Sequence, residues 1–531
     1  MALLRAMATV GGWTAASRIL GFARDILIAR VLGTGWVADA WVVAFRLPNL
    51  FRRLLGEGAF NAAFVPLFAR RLEEEGTAAA KAFAEQSLAV LLAAALLLTA
   101  LAMAAMPWLM PVLAPGFLDH PAQFDLAVWM ARITFPYLLF MALTALFSGV
   151  LNSLRRYGAA AAAPVLLNLV LILALLLLAP FGWSAGPTLA WAVALAGALQ
   201  FLLLLAAAAR AGMALRLPRP RLTPGVRRLL RLMLPGVLAA GALQLNLFVG
   251  TLIATLQEGV PSYLYYADRV YQLPLGLIGI ALAVVLLPEI TRRLRSEGEA
   301  AAATSMNQGL EFALFLTLPA TVALLVIPLP IVRTLFERGA FDAQASVATA
   351  LSLLAYASGL PAYVLAKVFQ SAFFAREDTV TPLRAALWGV GANLALALGL
   401  FFALRPFALG HLGLAAASSL AAWLSLGFLA VVLRRRGHFR ISGRLRERLP
   451  RQAGAALLMG AALYGLNRLL DGWLAGSEAE RFAALALLVL AGLLVYLLAA
   501  LALGALPKSQ LARLGQRLRR RRTAAPERKE P

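Results

Sequence analysis

The chain has 531 residues, of which 62% are hydrophobic and 14% are charged, and its mean hydropathy is +0.80. This apolar fraction excludes a soluble fold and indicates an all-α polytopic membrane protein. The formal net charge of +24 would suggest nucleic acid as a partner. However, the Lys and Arg residues lie in short loops and in the C-terminal tail, as the positive-inside rule describes, so we expect no nucleic acid. The absence of cysteine excludes disulfides and thiolate metal sites.

Apolar segments of membrane-spanning length follow one another along the chain. With about 20 residues per span, they predict fourteen transmembrane helices, near residues 8–30, 36–68, 82–112, 126–152, 159–180, 187–209, 227–256, 263–289, 306–329, 343–373, 380–404, 411–433, 453–470 and 482–506. Residues 1–20 lack a compact apolar stretch that ends in a cleavage site, so we expect the first helix to be retained. Lys and Arg occur in every second loop, which predicts that both termini are cytoplasmic.

An internal repeat divides these helices into two sets. Residues 65–80 and 287–302 match at nine of sixteen positions and lie 222 residues apart. One copy ends the second predicted helix and the other ends the eighth, so the repeat unit has six helices and both units enter the membrane in the same direction. Such parallel repeats are typical of alternating-access transporters with a substrate path between the halves. The alternative is that the two segments share only a common form of cytoplasmic loop.

The repeat and the charged loops predict five regions. These are an N-lobe of helices 1 to 6 (1–212), a basic cytoplasmic linker (213–226), a C-lobe of helices 7 to 12 (227–436), a basic loop with helices 13 and 14 (437–506), and a basic cytoplasmic tail (507–531).

The first two helices carry most of the ionisable residues at depths where charge is costly. A charge at the centre of a span costs at least about 2.5–3.5 kcal/mol, so such residues usually face a partner or a water-filled cavity. The residues are Arg18, Arg24, Asp25, Asp39, Arg46, Arg52, Arg53 and Glu57. Their excess of arginine predicts a ligand that bears phosphate or pyrophosphate, because the guanidinium fork matches those oxygens two at a time.

The eighth helix adds Asp268 and Arg269, and helices 1, 2 and 8 are expected to present arginines to one hydrated cavity. The alternative for these charges is a set of salt bridges that fix helix packing, with Arg46 and Arg53 snorkelling or facing a neighbouring helix. Lys367 in the tenth helix is either a cavity residue or a helix-end anchor. His120, His411 and His438 are expected in loops, which makes a histidine-based metal or acid–base site improbable.

Several long motifs resemble those of the MurJ (MviN-type) lipid II flippases, a family of the multidrug/oligosaccharidyl-lipid/polysaccharide (MOP) exporter superfamily. The motifs are SRILGFARD (17–25), DAWVVAFRLPNLFRRLLGEGAFNAAFVP (39–66), APGF (114–117), ITFPY (133–137) and YYADR (265–269). The resemblance implies two six-helix lobes in a V shape, with the last two helices bounding a groove for the polyprenyl tail. It also implies transfer of lipid II, the peptidoglycan precursor on undecaprenyl pyrophosphate, from the cytoplasmic to the periplasmic leaflet of the bacterial inner membrane, in support of cell-wall growth and cell shape.

The resemblance also implies roles for individual residues. The residues expected to bind the pyrophosphate and headgroup are Arg18, Arg24, Arg52 and Arg269. Those expected to shape or gate the cavity are Ser17, Asp25, Asp39, Arg53, Glu57 and Asp268. No catalytic residue, metal or cofactor is expected. Some relatives use a sodium site with carboxylates on helices 7 and 11, but this chain offers only Gln244 and Asn246 on helix 7. Membrane potential is therefore the expected driving force for transport, with an ion gradient as the alternative. Gln272, where some relatives are acidic, leaves the pairing of Arg269 open.

The expected partners are lipid II and membrane lipids, with the cell-wall synthesis machinery left open and a monomer as the default state. The nearest alternative functions are a flippase for another polyprenyl-linked oligosaccharide and a drug exporter of the same superfamily. The arginine excess disfavours a cation exporter. A membrane enzyme such as a glycosyltransferase is disfavoured because no pair of carboxylates or histidines is poised at the membrane surface. A scaffold would have no reason to place arginine so deep.

Overall fold

The computed structural model describes residues 2–54, 60–178 and 182–505. Within these ranges the chain folds into α-helices without a β-strand, in agreement with the predicted class. The helices are α1 (Ala2–Leu32), α2 (Trp36–Leu54), α3 (Phe60–Glu74), α4 (Gly76–Leu113), α5 (Pro121–Thr134), α6 (Pro136–Ser153), α7 (Gly158–Leu178), α8 (Ala185–Arg210), α9 (Pro224–Ala254), α10 (Val260–Glu297), α11 (Glu299–Val326), α12 (Pro328–Phe336), α13 (Ala343–Phe374), α14 (Val380–Leu404), α15 (Gly410–Arg435), α16 (Gly443–Leu469), α17 (Asp471–Leu474) and α18 (Glu478–Ala502).

Nine helical segments of the described ranges are long and apolar enough to cross a membrane. They correspond to the predicted helices 3 to 6, 9 to 12 and 14. The other five predicted helices all contain ionisable residues, and each overlaps a described helix, namely α1, α2 with α3, α9, α10 and α16. The chain is therefore a multi-pass helical membrane protein, and the total of fourteen spans stays a prediction.

Several element boundaries differ from those predicted. The segment 126–152 is two helices, α5 and α6, because Pro136 lacks the N–H that would continue the hydrogen-bond ladder. The segment 36–68 likewise contains two helices, α2 and α3, and residues 55–59 between them lie outside the described part. A short helix, α12, occupies part of the predicted loop after residue 329. The prediction of a loop position for His411 is wrong, since it lies buried in the first turn of α15.

Both copies of the sequence repeat form the same helix–glycine–helix turn. Gly76 separates α3 from the body of α4 with φ +84°, and Gly298 separates α10 from α11 with φ +81°. These are aligned positions of the repeat, and a positive φ is the conformation that glycine adopts without the steric cost of a Cβ. The shared residues therefore encode the same local break in each half of the chain.

By compactness, the chain divides into two units. Unit one contains the residues up to 266, together with 336–349 and 394–414. Unit two contains 267–335, 350–393 and the residues from 415 onward. The five regions proposed above follow the repeat and the loop charges, not compactness, and their boundaries stay predictions.

In unit one, a stack of phenylalanines fixes α3 against α4 and α6. The ring centroid of Phe64 lies 5.2 Å from that of Phe60, 5.5 Å from that of Phe68 and 5.6 Å from that of Phe83. Gly149 of α6 allows this approach, because a Cβ there would lie 2.8 Å from the Phe64 ring. The stack therefore packs α3, which contains the last residues of the motif 39–66, against α4.

In unit two, α16 packs on both α11 and α18, which form one apolar cluster with Ile327, Met459 and Tyr496 among its buried members. The Tyr496 hydroxyl donates to the backbone carbonyl of Phe315 at 2.6 Å. At the basic end of α16, Arg444 and Arg448 both bind the Glu311 carboxylate of α11. These two ion pairs anchor α16, the helix that corresponds to the predicted thirteenth span.

Candidate functional site

The centre of the candidate site is Arg24, which is buried in α1 with only 7% of its surface exposed. Its Nε and Nη2 donate to Oδ1 of the neighbouring Asp25 at 3.0 and 2.7 Å. Its Nη1 donates to Oδ1 of Asn168 in α7 at 2.8 Å. Charge-assisted bonds of this kind are the strong ones. All three nitrogens of the guanidinium are therefore engaged.

Asn168 links two points of α1. Its Nδ2 donates to the backbone carbonyl of Ser17 at 2.9 Å and to the Ser17 hydroxyl oxygen at 3.3 Å, while its Oδ1 accepts from Arg24. The charge pattern of the sequence did not indicate this residue as a candidate. The available signal was a polar amide within the apolar run PVLLNLVLIL of α7, since an amide in a membrane helix usually faces a polar partner on another helix.

Asp25 receives a further donor from α10. The Tyr265 hydroxyl donates to Oδ1 of Asp25 at 2.9 Å, so a single carboxylate oxygen accepts from Tyr265 as well as from two nitrogens of Arg24. Asp25 is only 2% exposed. The buried carboxylate neutralises the charge of Arg24, as a buried cation requires.

Asp39, which is fully buried in α2, holds the start of α10. Its Oδ2 accepts from the backbone N–H of Gly259 at 2.6 Å, and its Oδ1 accepts from the N–H of Ser262 at 3.0 Å and from the Ser262 hydroxyl. The first N–H groups of a helix have no partner within the helix. A carboxylate at that end satisfies them and is stabilised by the helix dipole.

Close backbone contacts join the end of α1 to the loop before α13. The N–H of Ala340 donates to the carbonyl of Arg30 at 2.8 Å. Gly33 and Gly339 have φ +63° and +59°, and a Cβ on Gly33 would lie 2.2 Å from the carbonyl oxygen of Ala340. The Tyr266 hydroxyl donates to the carbonyl of Gly33 at 3.1 Å. Two glycines in the left-handed conformation thus permit this approach.

The other arginines predicted for the cavity differ in their surroundings. Arg18 is exposed and makes no ion pair with any residue in the described ranges. Arg46 donates to the hydroxyl of Thr251 in α9, so it faces a neighbouring helix. Arg52 and Arg53 belong to α2, but their side chains lie outside the described part of the chain, as does all of Glu57.

Asp268, Arg269 and Lys367 belong to unit two. Asp268 accepts from the side-chain amide of Gln272, and Arg269 is half-buried. Lys367 is exposed on α13 and donates to Gln370 at 3.4 Å, which fits either interpretation of this lysine. The structure thus brings Ser17, Arg24 and Asp25 together within unit one. In the described ranges, no group of three His, Asp or Glu side chains is placed to hold a metal ion.

Comparisons with known proteins agree with these observations. The family model described as lipid II flippase MurJ matches residues 28–484. A probable lipid II flippase MurJ of Rhizobium meliloti (strain 1021) is 46% identical over 472 residues, which cover 87% of this chain and 86% of the relative. A solved structure of lipid II flippase MurJ in an inward closed conformation superposes with a TM-score of 0.75 at 26% identity, covering 92% of this chain and 97% of that chain.

A more distant solved structure shares the fold. It is an inward-facing multidrug resistance MATE family transporter of the MOP superfamily, with a TM-score of 0.64 and 18% identity over 80% of this chain and 95% of that chain. The MOP-type fold predicted above is thereby confirmed. Since the family model spans most of the chain and a relative is 46% identical over most of its length, the chain belongs to the lipid II flippase MurJ family.

Proposed function

We propose that this chain is a transporter, not an enzyme, that flips lipid II from the cytoplasmic to the periplasmic leaflet of the bacterial inner membrane by alternating access. The observation that carries this proposal, beyond family membership, is the buried Arg24 held by Asp25 and Asn168. A buried cation with an exchangeable carboxylate partner suits an anionic ligand that enters and leaves during a cycle. The proposed orientation has both termini in the cytoplasm, and the proposed working unit is a monomer.

The ligand chemistry follows from competition for Arg24. In the state described, Asp25 neutralises the guanidinium. A pyrophosphate offers more acceptor oxygens and more charge than one carboxylate, so it can replace Asp25 as the partner of Arg24. Arg18 is exposed on the same helix and is the proposed first contact for the headgroup, with Arg52 and Arg269 as further contacts. Binding then offsets repulsion among the arginines and shifts the population toward a state closed to the cytoplasm.

We further propose that Asp39 gates the start of α10 at the side opposite to the basic loops. Release of the headgroup at that side requires the elements there to separate. In this proposal, the hydrogen bonds from Gly259 and Ser262 to Asp39 stabilise the arrangement that is closed at that side. Hydrogen bonds to charged groups are each worth about 1.5–3 kcal/mol. This magnitude suits a gate that is stable at rest and still opens when a ligand favours the open state.

Membrane potential is the proposed driving force, with no cofactor. Moving one elementary charge across the membrane is worth about 2.3 kcal/mol per 100 mV. The cytoplasmic side is negative, so outward movement of a headgroup with two negative charges runs downhill at about twice that value. An ion gradient is the alternative drive.

The direct test is leaflet-resolved lipid II accessibility in cells whose own flippase is shut off. Cells that carry this chain should regain lipid II in the outer leaflet, and the variants Arg18→Ala, Arg24→Ala and Arg269→Ala should fail at normal abundance. A properly inserted wild-type chain that restores nothing would instead favour another polyprenyl-linked oligosaccharide as the substrate. Active alanine variants would make the arginines packing residues.

A further inference from the structure

Asn168 is a buried amide within the apolar helix α7, and its side chain hydrogen-bonds to α1. It is 5% exposed, and its carboxamide uses both ends: Oδ1 accepts from Nη1 of Arg24, and Nδ2 donates to Ser17. Ser17 and Arg24 are seven residues apart on α1, which places them on nearly the same face two turns apart. The amide therefore bridges the helix face that carries the proposed anion-binding arginine.

Asp25 and Asn168, both partners of Arg24, differ in charge. Asp25 takes Nε and Nη2 and supplies the neutralising charge, whereas Asn168 takes Nη1 and is neutral. A second carboxylate at position 168 would hold the guanidinium more tightly, and an incoming anion would have to displace two negative groups. A carboxylate would also lose the N–H donors that bind the Ser17 carbonyl. Only an amide orients the arginine, anchors itself on α1 and adds no charge.

We propose that Asn168 is a positioning residue that orients Arg24 for exchange between Asp25 and the anionic headgroup of the substrate. This inference rests on the proposed function, in which Arg24 binds that headgroup. It assigns a role in substrate affinity to a helix, α7, that carries no charged residue. Asn168 itself need not contact the headgroup, since its effect passes through the guanidinium.

The test measures binding of purified lipid II to the purified full-length chain in phosphatidylcholine nanodiscs, with thermal unfolding recorded for each variant. Asn168→Asp is expected to raise Kd on the order of tenfold, because the added carboxylate competes with the ligand for Arg24. The double variant Asp25→Asn/Asn168→Asp adds one carboxylate beside Arg24 and removes another, and it is expected to recover most of the affinity. Gln200→Glu is the matched control, because Gln200 is a buried amide of α8. Its substitution should lower Tm and leave Kd near the wild-type value.

A double-mutant cycle keeps the inference testable if Asn168→Asp fails to fold. Asn168→Ala is expected to weaken binding in the wild-type background and to have no further effect in the Arg24→Ala background, since the two residues act as one unit. Equal effects of Asn168→Ala in both backgrounds would overturn the positioning role and leave Asn168 a packing residue. Unchanged affinity of well-folded Asn168→Asp would do the same.

Failure of the proposed function gives a different result. If Arg24→Ala binds lipid II as tightly as the wild-type chain, then Arg24 is not a headgroup contact, and the site itself is misassigned. If Arg24→Ala weakens binding while the variants of Asn168 do not, the site stands and only the role of Asn168 is lost.

Discussion

Tyr265 of α10 and Asp25 of α1 are joined by a hydrogen bond of 2.9 Å, although 240 positions separate them in the sequence. The oxygen that accepts it, Oδ1, also accepts from two nitrogens of Arg24. The strength with which Asp25 holds Arg24 is therefore tied to the position of α10, the helix whose first turn is bound by Asp39. The pairing of Arg24 with Asp25 is thus linked through Tyr265 to the start of α10, and all of these residues lie in unit one.

The first prediction concerns Tyr265→Phe, which removes the hydroxyl and keeps the ring. Asp25 loses one donor, and we expect a loss of stability of about 1.5–3 kcal/mol, the range for hydrogen bonds to charged groups, together with slower lipid II transport. Denaturant or thermal unfolding and the leaflet assay measure the two effects. Tyr496→Phe is the matched control, because its hydroxyl binds a backbone carbonyl of α11 far from Arg24 in sequence. It should lose stability while transport per folded molecule stays unchanged.

The second prediction concerns Asp25→Asn, which removes from the buried Arg24 the carboxylate that accepts from its Nε and Nη2. An uncompensated buried charge is costly, typically by about 3–5 kcal/mol, and an anionic ligand that supplies the missing charge recovers part of that cost. We therefore expect tighter binding of lipid II, lower Tm without ligand and reduced transport, because the empty state no longer re-forms easily. Weaker binding by a folded Asp25→Asn chain would contradict the exchange mechanism.

The third prediction concerns Asp39→Asn at the start of α10. An amide cannot accept from Gly259 and Ser262 with both of its ends, since Nδ2 is a donor, so the closed arrangement should weaken by about 1–3 kcal/mol. The chain has no cysteine, so a single Ala38→Cys substitution at a position 1% exposed reports opening by its maleimide labelling rate. Labelling should be faster in Asp39→Asn. Asp119→Asn is the control and should leave the rate unchanged, because Asp119 is an exposed aspartate at the end of the short 3-10 helix Pro115–Asp119.

The fourth prediction concerns pH and the turn between α13 and α14. Burial alone would raise the pKa of Asp378, but hydrogen bonds from the hydroxyl and N–H of Thr381 and from Arg436 outweigh it and lower the pKa to about 2. Because this folded-state pKa lies below the ordinary value of 3.8, the stabilisation is present above about pH 4 and is lost as pH falls toward 2.

The measurement for this turn is thermal unfolding of the wild-type chain and Asp378→Asn from pH 7 to pH 2. The Tm difference should be largest at neutral pH and should shrink in the acid range. Glu377→Gln is the neighbouring control, since its ion pair with Arg295 is long, at 3.7 Å, and largely exposed, and such pairs contribute little. A constant Tm difference for Asp378→Asn at all pH values would disprove the assignment.

The fifth prediction compares two glycines of one loop. Gly33→Ala places a Cβ 2.2 Å from the Ala340 carbonyl oxygen at a residue with φ +63°. The left-handed conformation alone costs roughly 1–2 kcal/mol for a residue with a Cβ, and the clash adds to it. Gly35→Ala meets nothing within 4 Å and should be nearly neutral in thermal unfolding. Equal effects of the two substitutions would show that the contact between Gly33 and Ala340 is not tight.

The amino-acid sequence by itself determined the class of the protein and the helices that carry its charged candidate residues. Hydropathy and the cost of placing charge in an apolar layer depend on residue type and local spacing, so they can be evaluated without knowing which helices are neighbours. The same holds for the internal repeat and for the choice of Arg24 and Asp25 as candidate residues. The break at Pro136 was readable in principle from the ring's missing N–H, but the continuous apolar pattern concealed it.

Only the tertiary structure decided which groups meet these residues. Arg24 binds Asn168 across 144 positions, and Asp39 binds Ser262 across 223. Such partners depend on which helices pack together and on how each helix is rotated about its axis. A local sequence pattern contains neither kind of information. The role of Arg24 toward a ligand stays a prediction, but the tertiary structure identifies partners of this buried group, Asp25 and Asn168 among them. The physical reason is that a buried charge is tolerated only with a partner, and residue order alone does not identify that partner.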